Sequence, residues 1–311
     1  MRPIRHIPDH GALVEVTVRT FQSRFLLRPS LALNQIVAGV LGRAQRRLGV
    51  PCHGVVCLSN HFHLLVSVDD AGQLSRFMEY VDSNLAREVA RLLDWHDRVW
   101  SRRYQAIVVS GEEAAQVERF RYLLAHGVKE GLVAKASEWP GVHCVRALLD
   151  GEPIRGLWFD RTQEYAARNR GEKFDRLKYA TEETFELSPL PCWAHLSPEA
   201  YRERVAALVE EIERDAAAAL ARSGRQPLGV SGILRQHPQT RPNRTKKSPA
   251  PAFHAATKVM RKGLREMYAA FVAAFREASE KWRAGDRTAS FPVGSFPPGL
   301  PFVSAEAAGS T

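Results

Sequence analysis

Two histidines separated by one residue form the first pattern in the sequence that could carry chemistry. His61 and His63 flank Phe62 in the segment SNHFHLLVSV, and residues two apart on a strand point to the same face. Both imidazoles can therefore reach one cation while Phe62 enters the core. With 11 histidines among 311 residues, such pairs also arise by chance, so this spacing alone is weak evidence for a metal site.

A tyrosine and a histidine four residues apart form the second pattern. Residues i and i+4 share one face of a helix, so Tyr122 and His126 would present a phenol and an imidazole together. The charged residues flanking the same stripe are Glu118, Arg119 and Lys129. The alternative interpretation is that Tyr122 packs against a sheet with only its hydroxyl at the rim, as most tyrosines do.

The elements that must position these residues follow from apolar periodicity. The spacing predicts a strand over 12–20, a helix from Ser30 to just before Gly49, two antiparallel strands within 54–68, a helix over 73–93, a strand over 105–110 and a helix over 112–130. This order predicts an α+β domain with a ferredoxin-like antiparallel sheet and helices on its faces. Unrelated functions share that scaffold, so the fold alone does not decide the function.

The C-terminal part is predicted to be a mainly helical extension. Ser197 and Pro198 mark the start of a helix that runs to about residue 221, and a second helix is predicted over 254–284. The stretch 222–265 contains 11 Lys or Arg and no Asp or Glu, and its central part, RQHPQTRPNRTKKSPAP, is predicted to be a flexible basic linker between the two helices. A proline-rich tail over 291–303 is expected to dock on the body. We expect a domain over 1–165, a connecting segment over 166–196 and the extension over 197–311.

The composition favours a polyanionic partner. The chain has a net charge of +10 and a pI near 9.7, which suits nucleic acid, although many basic proteins bind nothing anionic. Four cysteines without a C-x-x-C pair predict reduced thiols. Because the sequence shows neither an export signal nor a long apolar stretch, we expect a cytoplasmic protein with no membrane contact.

Several motifs in order resemble one family of enzymes. The runs SNHFHLLVSV, NLAREVARL, VWSRRYQAIVV and RYLLAHGVKEGLV, followed closely by EWPG, resemble the REP-associated branch of the HUH single-tyrosine transposases. Members of that branch show an N-H-hydrophobic-H-L-L strand, an Asn-containing helix, a W-x-x-R-Y loop and a Y-x-x-x-N-P-V-R-A-G-L-V helix. The resemblance covers roughly residues 10–145 and implies a metal-dependent enzyme that nicks and transfers single-stranded DNA through a 5′-phosphotyrosine.

This resemblance assigns roles to particular residues. It implies that Tyr122 is the nucleophile and that His61, His63 and His126 are the metal ligands. The sequence departs from the family at His126-Gly127, where REP-associated proteins usually carry Asn-Pro and other relatives carry Gln. The expected cofactor is Mg²⁺ or Mn²⁺, and a third imidazole shifts the preference from Mg²⁺, which favours oxygen ligands, toward Mn²⁺ or another borderline cation.

The expected DNA-contacting residues lie in three places. The W-x-x-R-Y loop offers Arg102, Arg103 and Tyr104, although Trp100 and Tyr104 could equally be core residues that anchor the loop. Arg119 and Lys129 flank the tyrosine and add two more cations. The basic linker supplies three others, Arg244, Lys246 and Lys247. The expected partner is single-stranded DNA at hairpin-containing element ends, bound by a monomer or a homodimer.

Two other functions remain open at this point. One is a DNA-binding or regulatory protein that keeps the fold and the basic surfaces but has weakened catalysis, which the His126-Gly127 departure and the long extension motivate. The other is an RNA-binding module on a ferredoxin-like sheet. Such modules need exposed aromatic side chains on the sheet, where this sequence places His61 and His63.

Overall fold

The computed structural model describes residues 4–8, 11–172, 175, 177–242 and 251–297. Its N-terminal part contains four strands and three helices in the predicted order. They are β1 (Ala12–Arg19), α1 (Leu31–Leu48), β2 (Cys52–Leu58), β3 (His61–Val68), α2 (Ala71–Leu93), β4 (Gln105–Val109) and α3 (Glu113–Leu124).

The rest of the described chain contains eight further strands and α-helices. They are α4 (Cys144–Asp150), β5 (Ile154–Phe159), α5 (Arg161–Asn169), β6 (Ala180–Phe185), α6 (Pro198–Arg222), α7 (Gly229–Arg235), β7 (Phe253–His254) and α8 (Lys258–Arg283). The expectation of a mainly helical C-terminal extension is confirmed. The proposed boundary after residue 165 falls within α5, and the one after 196 falls just before α6.

The main sheet has the strand order β2-β3-β1-β4-β7. Its first four strands are antiparallel, whereas β7 joins β4 in parallel. Four strands in the order 2-3-1-4 with helices in the connections constitute the predicted ferredoxin-like α+β fold, which is thereby confirmed. The register places Thr17 opposite both His63 and Gln105, so these three residues form one row across β3, β1 and β4.

Side-chain caps mark the start of several helices, among them α1 and α8. The Ser30 hydroxyl accepts a hydrogen bond from the backbone N–H of Leu33 at 3.2 Å, as the sequence predicted. Gly49 ends the same helix in the left-handed conformation with a φ of 63°, which glycine adopts without steric strain. At the start of α8, the Thr257 side chain accepts from the N–H of Met260 in the same way.

Two predicted helix limits are wrong. The helix expected over 112–130 ends at Leu124, because the chain turns at Gly127, which has a φ of +94°. The helix expected to start at residue 254 begins at Lys258. Phe253 and His254 instead pair with the edge of β4, so their backbone groups are used by the sheet.

A second sheet of two strands, β5 and β6, covers the outer face of α1. Contact is close because glycines face each other: a Cβ added at Gly39 would lie 2.2 Å from the carbonyl carbon of Leu157, and one at Gly156 would lie 2.4 Å from the backbone N of Gly39. Any larger residue at either position must therefore displace backbone. The apolar periodicity of the sequence did not predict this hairpin.

The described part of the tail returns to the N-terminal segment. The backbone N–H of Ile7 donates to the carbonyl of Gly294 at 3.0 Å, and Phe291 packs edge-on against Phe275 with ring centroids 5.2 Å apart. The tail thus docks on the body as far as residue 297. None of the described helices is long and apolar enough to cross a membrane.

Candidate active site

Strand alternation brings the two histidines of β3 to one face. The ring centroids of His61 and His63 lie 5.1 Å apart, while Phe62 between them is 2% exposed and packs in the core. The period of two residues therefore positions the pair as the sequence predicted. The register of the sheet places Arg19 beside His61 and Thr17 beside His63.

His126 joins this pair from the turn that follows α3. Its ring centroid lies 4.2 Å from that of His63 and 5.8 Å from that of His61. One ring nitrogen from each of the three histidines lies within 4.8 Å of the others, so small ring movements would bring all three onto one cation. Although α3 ends at Leu124, the next residue, Ala125, keeps a right-handed helical conformation, which leaves His126 on the face of Tyr122.

Hydrogen bonds at Nδ1 orient each ring of the cluster. Nδ1 of His61 lies 2.6 Å from the Asn60 amide oxygen, and Nδ1 of His126 lies 3.2 Å from the Leu123 carbonyl oxygen. Nδ1 of His63 lies 2.8 Å from a Glu15 carboxylate oxygen. Because these oxygens can only accept, each Nδ1 carries the proton and each Nε2 has a lone pair to offer, which at His126 faces the Lys129 ammonium.

Glu15 is the buried anion behind the cluster. It is 1% exposed, accepts from His63 and forms an ion pair with Arg119 of α3. The Thr17 hydroxyl lies 2.9 Å from the same His63 nitrogen. A ligating histidine whose other nitrogen donates to a carboxylate is a more basic and better oriented ligand. Glu15 and Arg119 thus connect β1 to α3 directly beneath the histidines.

Burial keeps the three imidazoles neutral. It lowers the pKa of His63 to about 3, with the nearby charges of Lys129 and Arg19 adding to the effect. Burial is also the main reason why the pKa values of His61 and His126 lie well below the ordinary value for histidine. Metal ligation requires a neutral imidazole, and all three side chains meet that condition at neutral pH.

Tyr122 lies at the open side of the cluster. Its side chain is 41% exposed, and its ring centroid is 4.8 Å from that of His126 and 5.9 Å from that of His63. Two cations contact the ring, with the Lys129 Nζ 3.4 Å and the Arg119 Cζ 4.5 Å from its centroid. This exposure does not fit the alternative in which Tyr122 packs against the sheet with only its hydroxyl at the rim.

Lys129 stands between the tyrosine and the third histidine. Its Nζ lies 3.2 Å from Nε2 of His126 and 3.2 Å from the backbone carbonyl of Tyr122. Burial lowers the pKa of Lys129 to about 8. An ammonium with a depressed pKa next to a phenol can stabilise negative charge on the phenol oxygen and can also exchange a proton near neutral pH.

Comparison with known proteins finds a family that matches the region holding most of these residues. A family model for IS200-like transposases matches residues 22–122, about a third of the chain. Residues 22–122 of the chain are therefore similar to IS200-like transposases. The resemblance read from the sequence motifs is thereby confirmed. The match includes His61, His63 and Tyr122 and ends before His126.

Two solved structures are also similar to this chain. A REP-associated tyrosine transposase bound to a REP hairpin is 18% identical, with a TM-score of 0.36 over 50% of this chain and 88% of its own. A Deinococcus radiodurans protein assigned as a transposase is 15% identical, with a TM-score of 0.28 over 39% of this chain and 95% of its own. No curated protein matches the chain.

Three other predicted site residues, Arg102, Arg103 and Tyr104, lie on the loop before β4. Arg102 and Arg103 are exposed, whereas Tyr104 is only 9% exposed. Trp100 packs edge-on against Phe62 at 5.7 Å and donates from its indole nitrogen to the Asp82 carbonyl at 2.8 Å, so it anchors the loop. The linker residues Arg244, Lys246 and Lys247 lie outside the described residues.

Sequence reasoning missed four residues that complete the candidate site. They are Glu15, Thr17, Arg19 and Asn60. The alternation of β1 indicated that the first three share a face but not that the face is buried. The register of β1 with β3 would have placed them against the histidines, and the Asn-His dipeptide was the available signal for Asn60.

Proposed function

We propose that this protein is a metal-dependent enzyme that nicks and transfers single-stranded DNA through a covalent bond to Tyr122. One arrangement carries the proposal: three neutral imidazoles converge beside an exposed phenol that two cations contact. The match of the surrounding segment to IS200-like transposases supports the same reaction class. Cleavage of a phosphodiester by a side chain needs a nucleophile and charge stabilisation, and the cluster offers both.

The proposed step balances without an external energy source. The Tyr122 hydroxyl oxygen attacks the phosphorus and forms a new P–O bond, while the bond from phosphorus to the 3′ oxygen of the preceding nucleotide breaks. The phenolic proton leaves through solvent or Lys129, and the departing 3′ oxygen gains one proton to become a hydroxyl. The 5′-phosphotyrosine keeps the phosphodiester energy, so a 3′-hydroxyl can reverse the step and rejoin a strand.

The residues fit a borderline divalent cation better than a hard one. We assign the three Nε2 atoms of His61, His63 and His126 as its ligands, and such a nitrogen set favours Mn²⁺ over Mg²⁺. A cation bound there would polarise the scissile phosphate and neutralise charge that develops on it. Arg119 and Lys129 contribute fixed positive charge next to the same phosphate.

DNA would reach this centre along basic side chains. Arg102, Arg103 and Tyr104 lie before β4, the strand next to β1, and Arg244, Lys246 and Lys247 belong to the basic linker. We propose that these residues contact single-stranded DNA at hairpin-containing element ends, with a domain over 1–165 performing the chemistry. Such contacts make affinity depend on salt, because each neutralised phosphate releases counterions.

Covalent capture of labelled DNA tests the proposal. Purified protein is incubated with Mn²⁺ or Mg²⁺ and with labelled single-stranded hairpin oligonucleotides from the ends of its own locus, then run on a denaturing gel. We expect an adduct that Tyr122→Phe and EDTA both abolish. Tyr165→Phe is the matched control, because Tyr165 is an exposed tyrosine on α5 away from the cluster. An adduct that persists in Tyr122→Phe would refute the assignment of the nucleophile.

A DNA-binding protein with weakened catalysis is the second candidate. The observation that favours it is the Lys129 ammonium, which lies 3.2 Å from the His126 nitrogen that a cation would need. A lysine there can balance charge in place of a metal. Salt-sensitive DNA binding without an adduct on any end sequence, together with no measurable Mn²⁺ binding, would establish this second function instead.

A further inference from the structure

A cavity of about 290 Å³ lies where three distant parts of the chain meet. The N-terminal segment contributes Arg5, the loop before β4 contributes Arg102, Arg103 and Tyr104, and the C-terminal extension contributes Phe275 and Phe296. The volume is close to the lower limit of the range of about 300–1,000 Å³ that is typical of small-molecule sites. The cavity is separate from the histidine cluster, since the two share no residue.

The side chain of Arg5 is held between two aromatic rings of this cavity. Its Cζ lies 3.9 Å from the ring centroid of Phe296 and 4.5 Å from that of Tyr104. Among the described residues, the Arg5 guanidinium interacts with the Tyr104 hydroxyl but pairs with no carboxylate. A buried cation without an anion is costly, so this arrangement favours a ligand that brings negatively charged acceptor atoms.

The charge of the cavity specifies the class of ligand. Three arginines line it, and no acidic residue is among its described lining residues. Burial is the largest cause that lowers the pKa of Arg5, and the charge of Arg103 lowers it further. An anion would relieve both effects. A flat aromatic group would in addition find stacking surfaces on Phe275 and Phe296, which are half-buried.

A row of paired residues on three neighbouring strands connects the cavity to the candidate active site. Gln105, which lines the cavity, lies in register with Thr17 on the adjacent strand, and Thr17 lies in register with His63 on the next one. Two strand spacings amount to about 10 Å. Arg19 lies in register with His61 and interacts electrostatically with Arg102, which lines the cavity, so two cations link the cavity to the cluster.

We propose that this cavity binds one unpaired nucleotide of the DNA strand, with its base against the rings of Phe275 and Phe296 and its phosphate on Arg5 and Arg103. The inference rests on the proposed function, in which single-stranded DNA is the substrate. It gives the C-terminal extension a part in substrate binding, because two of the four contacts come from α8 and the tail. A paired base cannot enter a cavity of this size, so the site selects single strands.

Affinities for matched single-stranded and duplex probes test the proposal. The probes are fluorescein-labelled dT12 and the dT12·dA12 duplex, measured by fluorescence anisotropy with full-length protein carrying Tyr122→Phe, so that no covalent adduct forms. The cavity variants are Phe296→Leu, Phe275→Leu and Arg103→Gln. Arg265→Gln is the control, because Arg265 is an exposed cation on α8 that does not line the cavity.

Loss of one stacked base should weaken dT12 binding by about tenfold in each phenylalanine variant and leave duplex binding within about twofold. Arg103→Gln should weaken dT12 binding more than duplex binding, whereas Arg265→Gln should change both equally. Thermal melting shows whether each variant is folded. If both phenylalanine variants are folded and bind dT12 like the Arg265 control, or if every variant weakens both probes equally, the inference is wrong.

The adduct assay on the unmodified chain reports the proposed function separately. A loss of single-strand preference in the cavity variants supports the nucleotide site even if no adduct forms on any DNA. Adduct formation together with unchanged dT12 binding in the cavity variants supports the proposed function and overturns the nucleotide site.

Discussion

Replacement of Glu15 by glutamine should separate metal binding from folding at the candidate active site. Glu15 is 1% exposed, accepts a hydrogen bond from His63 and pairs with Arg119. Glutamine keeps the size and one acceptor oxygen but removes the negative charge. The expected loss of Mn²⁺ affinity is about 10- to 100-fold, the usual effect of removing a partner behind a ligating histidine, or roughly 1.4 to 2.7 kcal/mol.

The same substitution should also destabilise the fold. It leaves the Arg119 guanidinium next to buried apolar surface without its anion, and breaking a buried ion pair costs about 3–5 kcal/mol. The Arg119 side chain retains 14% exposure, so water solvates part of the charge and the lower end of that range is expected. Urea denaturation measures this loss, and isothermal titration of Mn²⁺ measures the affinity.

Glu183→Gln is the matched control for this experiment. Glu183 is also a buried carboxylate, 3% exposed. It lies on β6 and pairs with Arg43 and Arg46 of α1, away from the histidines. Its loss should lower stability less, because Arg46 is 60% exposed, and should leave Mn²⁺ affinity unchanged. Wild-type Mn²⁺ affinity in folded Glu15→Gln, or an equal loss of affinity in Glu183→Gln, would refute the reasoning.

Three further predictions concern the metal, pH and packing. Exchange of His126 for asparagine replaces a nitrogen donor with an oxygen donor, so adduct formation should shift from Mn²⁺ toward Mg²⁺; an unchanged ratio of the two would contradict the assignment of this ligand. Burial lowers the pKa of His63 from 6.5 to about 3. As the pH falls below 6.5, His63 is therefore protonated in the unfolded chain but not in the folded one, and the free energy of unfolding decreases. Urea denaturation of the wild type should therefore show a decrease between pH 7.5 and 5.5 that is about 1.4 kcal/mol larger than in His63→Gln. Gly39→Ala should destabilise the protein by about 1–3 kcal/mol, because its Cβ would meet backbone at 2.2 Å, whereas Gly263→Ala on α8 meets no atom within 4 Å and should stabilise it by about 0.5–1 kcal/mol; thermal melting that ranks the two variants the other way would contradict the packing described for α1.

Much of the first domain could be predicted because its signals are local. Alternation over two residues placed His61 and His63 on one face of β3, and helical spacing placed Tyr122 and His126 together. Each of these depends only on the periodicity of a single element. The limits of α3 and α8 were wrong where competing interactions decided them, namely the left-handed turn at Gly127 and the pairing of Phe253 with β4.

What the sequence did not predict depends on contacts between distant segments. Arg5 meets Phe296 across nearly the whole length of the chain, and the β5–β6 hairpin packs on α1 through Gly39 and Gly156. No periodicity within one element records such contacts. The polar alternation of β1 is the clearest case, since Glu15 has the pattern of a solvent-facing residue and lies at 1% exposure.

The burial of Glu15 and that of the histidine cluster have the same cause. The packing of α3 against β2 and β3 desolvates the imidazoles and keeps them neutral even at pH values below the ordinary pKa of histidine. That packing also buries the polar face of β1, so any carboxylate there must be paired to be tolerated. Arg119 supplies the pairing from the same helix that presents Tyr122. The ion pair that makes the buried carboxylate tolerable therefore also holds Tyr122 at its distance from the histidines, and a change in either partner should affect metal binding and adduct formation together.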